Sequence, residues 1–129
     1  MNKICVYGSL RAGLHNHYLI EDSKLLGTFT TEPIFSLYTL GGFPGLKLVG
    51  KTGIVMEVYE VDDQTAKRVD QLEGYNINSK NNSFYDKIII DTPYGEAGVY
   101  IYVSPISEDR LVERGDWLAY VNQEEPELY

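Results

Sequence analysis

The sequence predicts an α+β domain, a small, mostly antiparallel and barrel-like set of strands with short flanking helices. Three observations point there. Most patterned segments are short and carry the β-branched and aromatic residues that favour strands. One stretch only, Gln64 to Glu73, reads clearly as a helix between strands. The connections between strands are brief, which fits antiparallel pairing better than the repeated crossovers of a doubly wound sheet.

Taken in order, Asn2 to Tyr7 reads as a strand with β-branched Ile4 and Val6. Gly8 to Gly13 interrupts it, and His15-Asn16 is placed to cap a short helix through Tyr18, Leu19 and Ile20. Leu25 to Thr31 and Ile34 to Leu40 are predicted strands, and the Gly- and Pro-punctuated stretch from Gly41 to Gly53 reads as turns. Gly53 to Val61 is a strong strand candidate. Asp62-Asp63 then supplies an N-cap, and Ala66, Val69 and Leu72 form one narrow apolar helix face. Gly74 stands where a helix-terminating glycine is expected.

A polar loop from Asn76 to Ser83 precedes two further strands, Phe84 to Ile90 and Ala97 to Val103, joined as a hairpin across Asp91-Thr92-Pro93-Tyr94-Gly95. Ser107 is expected to cap a helical segment near Glu108 to Glu113, and Asp116-Trp117 to start another. The domain is expected to occupy residues 1–120, with an acidic tail over 121–129.

Composition narrows the function classes. The 129 residues suit one domain. A formal charge of −8, with the eleven Lys and Arg scattered, argues against a nucleic-acid partner and against anionic membranes. Cys5 is the single cysteine, so no intrachain disulfide can form. No apolar run approaches the roughly 20 residues of a membrane span, and the N-terminus lacks a signal peptide's apolar segment. A cytoplasmic location is the expectation; the oligomeric state is left open.

Two features invite a chemical reading. The first is the loop Tyr7-Gly8-Ser9-Leu10 at the end of the first strand. A glycine there lets successive N–H groups turn toward a carboxylate or a developing oxyanion. From spacing alone, an ordinary strand-to-helix turn is the commoner outcome. Ser9 is a poor nucleophile candidate, since nothing orients a His–Ser pair. His15 and His17 match no metal-site spacing and suit surface or capping roles, so no metal site is expected.

The second feature is Leu72-Glu73-Gly74-Tyr75. A carboxylate in the last helical turn opposes the macrodipole by roughly 0.3–1 kcal/mol. That field and burial both raise a carboxyl pKa toward the range where it exchanges protons near neutrality. Most glutamates at helix ends are simply solvated, and that alternative stands at this level. Tyr85 and Lys87 share one strand face, as do Tyr100 and Tyr102, so either pair can line a cavity or pack as core or surface. Trp117 is expected in the core.

Five segments in order resemble the γ-glutamylcyclotransferase-like family, which includes the γ-glutamylamine cyclotransferases and the plant AIG2-like proteins. They are Val6-Tyr7-Gly8-Ser9-Leu10-Arg11 with Asn16-His17; Phe43-Pro44-Gly45 with Thr52-Gly53-Ile54; Val69-Asp70-Gln71-Leu72-Glu73-Gly74-Tyr75; Phe84-Tyr85-Asp86-Lys87; and Ala97 to Tyr102 with Gly115-Asp116-Trp117. Lys87 replaces the more usual Arg, and the Asn76 to Ser83 loop follows its own sequence, both of which bear on substrate choice. The resemblance implies a small mixed barrel with flanking helices and a cofactor-free enzyme acting on a small γ-glutamyl substrate. Glu73 would be its acid/base catalyst. Tyr7, Gly8, Ser9 and Leu10 would form its substrate loop, and Tyr85 a wall of the pocket. The implied reaction is attack of the substrate's own α-amine on its γ-amide, giving 5-oxoproline and a free amine or amino acid. The competing expectation is a binding protein that sequesters a small molecule in the same cavity without turnover.

Overall fold

The computed structural model describes residues 1–74 and 85–123. The sequence expectations for the Asn76 to Ser83 loop, for Tyr75 and Phe84, and for the Glu124 to Glu127 tail lie outside them. The described elements are β1 (Asn2–Val6), β2 (Lys24–Thr30), β3 (Phe35–Thr39), β4 (Pro44–Thr52), β5 (Val55–Val61), α1 (Asp63–Leu72), β6 (Tyr85–Thr92), β7 (Gly95–Tyr102) and α2 (Trp117–Gln123). Short 3₁₀ turns cover His17–Leu19 and Glu108–Arg110.

Five strands form one sheet in the order β2-β5-β1-β7-β6, and β3 and β4 form a separate ribbon. Pairing is antiparallel everywhere except between β1 and β7, which run parallel through Ile4 opposite Gly98. The α+β, mostly antiparallel expectation holds, but the barrel does not. Among the described residues β2 and β6 end the large sheet on opposite sides, and no ladder joins either edge to the ribbon. A barrel requires such closure.

The central strand β1 is buried on both faces, as a strand flanked by two neighbours and covered above and below must be. Its side chains alternate between two apolar clusters. Ile4 and Val6 point into one with Tyr59, Val61, Val69, Tyr85 and Tyr100, and Cys5 points into the other with Leu37, Leu46, Met56, Val58, Val99 and Trp117. Helix α1 covers the first cluster through Ala66 and Val69, while Leu72, expected on the same buried face, is 41% exposed. Trp117 lies in the second cluster, stacked on Tyr120 at 5.2 Å.

The ends of α1 follow the sequence. Asp62 accepts the Thr65 N–H at 2.7 Å as an N-cap, and Gly74 adopts φ 68° just beyond Glu73, a left-handed conformation that glycine takes without a Cβ clash. The β6–β7 hairpin is also as expected, with pairing continuing to Thr92 opposite Gly95.

Three expectations are corrected. Most of the stretch read as turns is strand β4. Pro44 is its first residue, where a missing N–H is tolerated, and Gly45 is needed because a Cβ there would lie 3.0 Å from the Tyr102 Cβ. Ser107 makes no side-chain cap, and only a 3₁₀ turn follows it. Asn16 does not cap its turn either; its amide donates instead to Ser9 Oγ at 2.8 Å.

Candidate active site

Beyond the end of β1 the chain leaves the sheet through Tyr7, Gly8, Ser9 and Leu10. The carbonyls of this loop are held inward. Gly8 O accepts the Arg11 N–H at 2.9 Å, Ser9 O the Asn16 N–H at 3.0 Å, and Leu10 O lies 2.9 Å from His17 Nδ1. The N–H groups of Gly8, Ser9 and Leu10 lie beyond the strand and enter no turn, loop or side-chain hydrogen bond among the described residues. Adjacent unspent N–H groups can bind an anion where they converge.

Gly8 has a second requirement. A Cβ there would stand 2.7 Å from Pro44 Cγ, so only glycine lets the loop lie flush on the β4 ribbon.

The far side of this loop is locked by a buried charge cluster that the sequence reading did not identify. Arg11 donates through Nε to Glu57 at 3.0 Å and through a terminal nitrogen to Asp116 at 2.7 Å, and is itself 5% exposed. Glu57 also accepts the Ala12 N–H at 3.0 Å and the Tyr59 hydroxyl at 2.7 Å. Asp116 caps α2 through the Ala119 N–H at 3.1 Å. The three charged members lie on β5, on the loop after β1 and before α2. Their separations of 46 and 105 residues leave no local pattern to read.

Glu73 follows α1 directly, its N–H still bonded to Val69 O at 3.0 Å. The last turn of α1 is tied to the sheet by Asp70, which accepts from the Tyr100 hydroxyl and from Lys87 Nζ at 3.2 Å. Lys87, expected to share a face with Tyr85, is therefore engaged with Asp70 and with the Tyr100 ring. Burial raises the Glu73 carboxyl from 4.5 to about 7.

The loop and Glu73 face one cavity of about 540 Å³. All six residues that the family resemblance assigns to the site line it: Tyr7, Gly8, Ser9, Leu10, Glu73 and Tyr85. Tyr100 and Tyr102 line it too, as the strand period allowed. His15, Asn16, Phe43 and Pro44 also line it, although the sequence reading gave them no part in a cavity. Two of the tyrosine hydroxyls are committed as donors to backbone carbonyls, Tyr7 to Tyr100 O at 2.6 Å and Tyr85 to Pro44 O at 2.8 Å. Burial, and after it the Glu73 charge, holds both above the usual tyrosine value, so both stay neutral walls near neutral pH. Burial likewise pushes the Cys5 thiol up to about 12, so it lines the cavity as an inert group.

The arrangement brings one carboxyl able to exchange protons near neutrality up to an apolar cavity, with a row of N–H donors beside it. Among the described residues no group of three or more His, Cys, Asp or Glu is placed to hold a metal ion, and no helix is long and apolar enough to cross a membrane.

Comparison with known proteins bears on this geometry. A family model described as "Gamma-glutamyl cyclotransferase, AIG2-like" matches residues 4–119. A Vibrio cholerae protein provisionally named a gamma-glutamylcyclotransferase is 40% identical over 114 residues, 88% of this chain and 93% of that protein. The gamma-glutamylcyclotransferase family protein YtfP of Escherichia coli is 36% identical over 116 residues, 90% of this chain and 96% of its own. Its solution structure superposes with a TM-score of 0.70 over 92% of this chain and 98% of that one. The gamma-L-glutamyl-butirosin B gamma-glutamyl cyclotransferase of Niallia circulans is 32% identical over 127 residues, 93% of this chain and 78% of that protein.

Proposed function

The chain belongs to the gamma-glutamyl cyclotransferase, AIG2-like family, and on that premise we propose that it cleaves a γ-glutamyl amide by intramolecular cyclisation, with Glu73 as the acid/base group. The observation that carries the reading is the shared cavity: Glu73, its carboxyl raised to about 7, and the Gly8 to Leu10 loop, whose N–H groups are unspent among the described residues, line the same 540 Å³ space. The Niallia circulans relative supports the reaction class, being named for cyclotransfer on a γ-glutamyl compound.

In the reaction, the neutral α-amine of the substrate attacks the carbonyl carbon of its own γ-amide. A new C–N bond closes a five-membered ring, and the old amide C–N bond breaks. Glu73, ionised, takes a proton from the attacking nitrogen and returns it to the departing amine. The products are 5-oxoproline and a free amine, with no water consumed. Because nucleophile and electrophile are tethered, orientation supplies part of the roughly 7–11 kcal/mol available to well-aligned intramolecular reactions. The protein's part is to fold the substrate into the attacking conformation, hold its carboxylate or oxyanion on the loop N–H groups, and move one proton. A Glu73 value near 7 suits a group that must both accept and donate.

The test is a panel of γ-glutamyl amines and γ-glutamyl amino acids assayed for 5-oxoproline. Wild type is expected to form it from at least one member, and Glu73→Gln to lose turnover with an unchanged circular dichroism spectrum. Full activity in the Gln variant would remove Glu73 from the chemistry.

A further inference from the structure

A second hollow of about 330 Å³ adjoins the main cavity, and the two share Phe43 and Tyr102 as walls. Beyond those rings it is lined by apolar Leu40, Pro105 and Ile106, by polar Ser107 and by one charged side chain, Arg110. The charge pattern differs between the two spaces, since no Lys or Arg lines the main cavity among the described residues. Arg110 is exposed, and among the described residues it makes no ion pair. Glu108 and Asp109 precede it in the same turn, but neither forms an ion pair with it, and the Glu108 carboxylate accepts the Tyr38 hydroxyl at 2.8 Å. The Arg110 backbone is fixed by its N–H to Ser107 O at 3.1 Å, so the side chain springs from a held turn. The guanidinium thus stands without an ion-pair partner among the described residues beside a small hollow, while the nearby Lys47, over the Tyr102 ring at 5.4 Å, is engaged with Ser104 O.

We infer that this hollow is the leaving-group subsite and that Arg110 reads a carboxylate on the amine that departs. The inference rests on the cyclotransferase reading and adds a substrate class to it. The γ-glutamyl half occupies the main cavity, where its own carboxylate meets backbone N–H groups. The scissile amide passes between Phe43 and Tyr102. The amine half then enters a space with apolar walls and one cation, which suits an α-amino acid or short peptide better than a simple alkylamine. Arginine's planar fork matches a carboxylate in two parallel hydrogen bonds.

Two substrates that differ by the carboxylate alone test this: γ-glutamyl-alanine and γ-glutamyl-ethylamine. Wild type is expected to favour the first in kcat/KM. In Arg110→Gln that preference falls about two- to fivefold, the worth of an exposed ion pair, and the fall is carried by KM. Arg110→Lys restores part of it, and added salt weakens the wild-type preference. An unchanged preference in Arg110→Gln, with both substrates turned over, removes the subsite and leaves the cyclotransferase reading standing. Absence of 5-oxoproline from both substrates, and from the whole γ-glutamyl panel, removes that reading and the subsite with it.

Discussion

Replacing Glu73 by Gln should stabilise the protein at alkaline pH and leave it unchanged in acid. In the folded protein the carboxyl titrates at about 7, against an ordinary value of 4.5. Below 4.5 the group is protonated in both folded and unfolded chains and costs nothing. Between the two values only the folded chain keeps the proton. Above 7 both forms are ionised, and the folded state bears the full cost of a desolvated carboxylate. Stability contributed by this site is thus lost as pH rises from 4.5 toward 7, the reverse of an ordinary salt-bridged carboxylate. Each pH unit of that interval is worth about 1.4 kcal/mol, so the cost at pH 8 is about 3 kcal/mol. Gln has the same shape and is never ionised. Urea unfolding of wild type and Glu73→Gln at pH 5 and pH 8 measures the difference, with other titrating groups cancelling between the two proteins. The expectation is a gain for the variant of about 1 kcal/mol at pH 5 and of about 3 kcal/mol at pH 8. An equal gap at both pH values, or a less stable variant at pH 8, refutes the claim that the carboxyl is held in a desolvating site.

Other consequences follow from single contacts. Gly8→Ala places a Cβ 2.7 Å from the Pro44 ring; that ring is held through its carbonyl by Tyr85, so the loop must shift, costing about 1–3 kcal/mol in urea unfolding and most of the turnover. Arg11→Met leaves Glu57, whose side chain is 7% exposed, without its cation, and should cost about 3–5 kcal/mol by the same measurement. The kcat/KM profile should fall on the acid side with a pKa of about 7, as Glu73 takes up the proton it must otherwise remove. A limb centred near 4.5 contradicts that assignment.

The local signals in the sequence were readable where one residue type answers one local need. Asp62 caps α1 because the helix start has free N–H groups, and Gly74 ends it because the chain must turn left-handed there. The period of two put Tyr100 and Tyr102 on a common face, and both line the cavity. The same logic misled at Gly45: a glycine needed for close approach to Tyr102 looks, in sequence, like a glycine needed for a turn. Strand closure was beyond the pattern, because nothing in β2 or β6 tells whether its outer edge is paired. The Arg11, Glu57 and Asp116 cluster was hidden for another reason. Each member looks like an ordinary surface charge until the fold brings them together.

Glu73 was visible as an anion placed against the helix field, and its function in the proposal depends on what the fold added, a shared cavity with the Tyr7 to Leu10 loop. The claim that this cavity performs cyclisation rather than hydrolysis is tested most directly by running the reaction in water enriched in oxygen-18. Cyclisation predicts 5-oxoproline free of the heavy isotope, formed in equal amount to the released amine. Glutamate carrying oxygen-18 in its γ-carboxylate would contradict it.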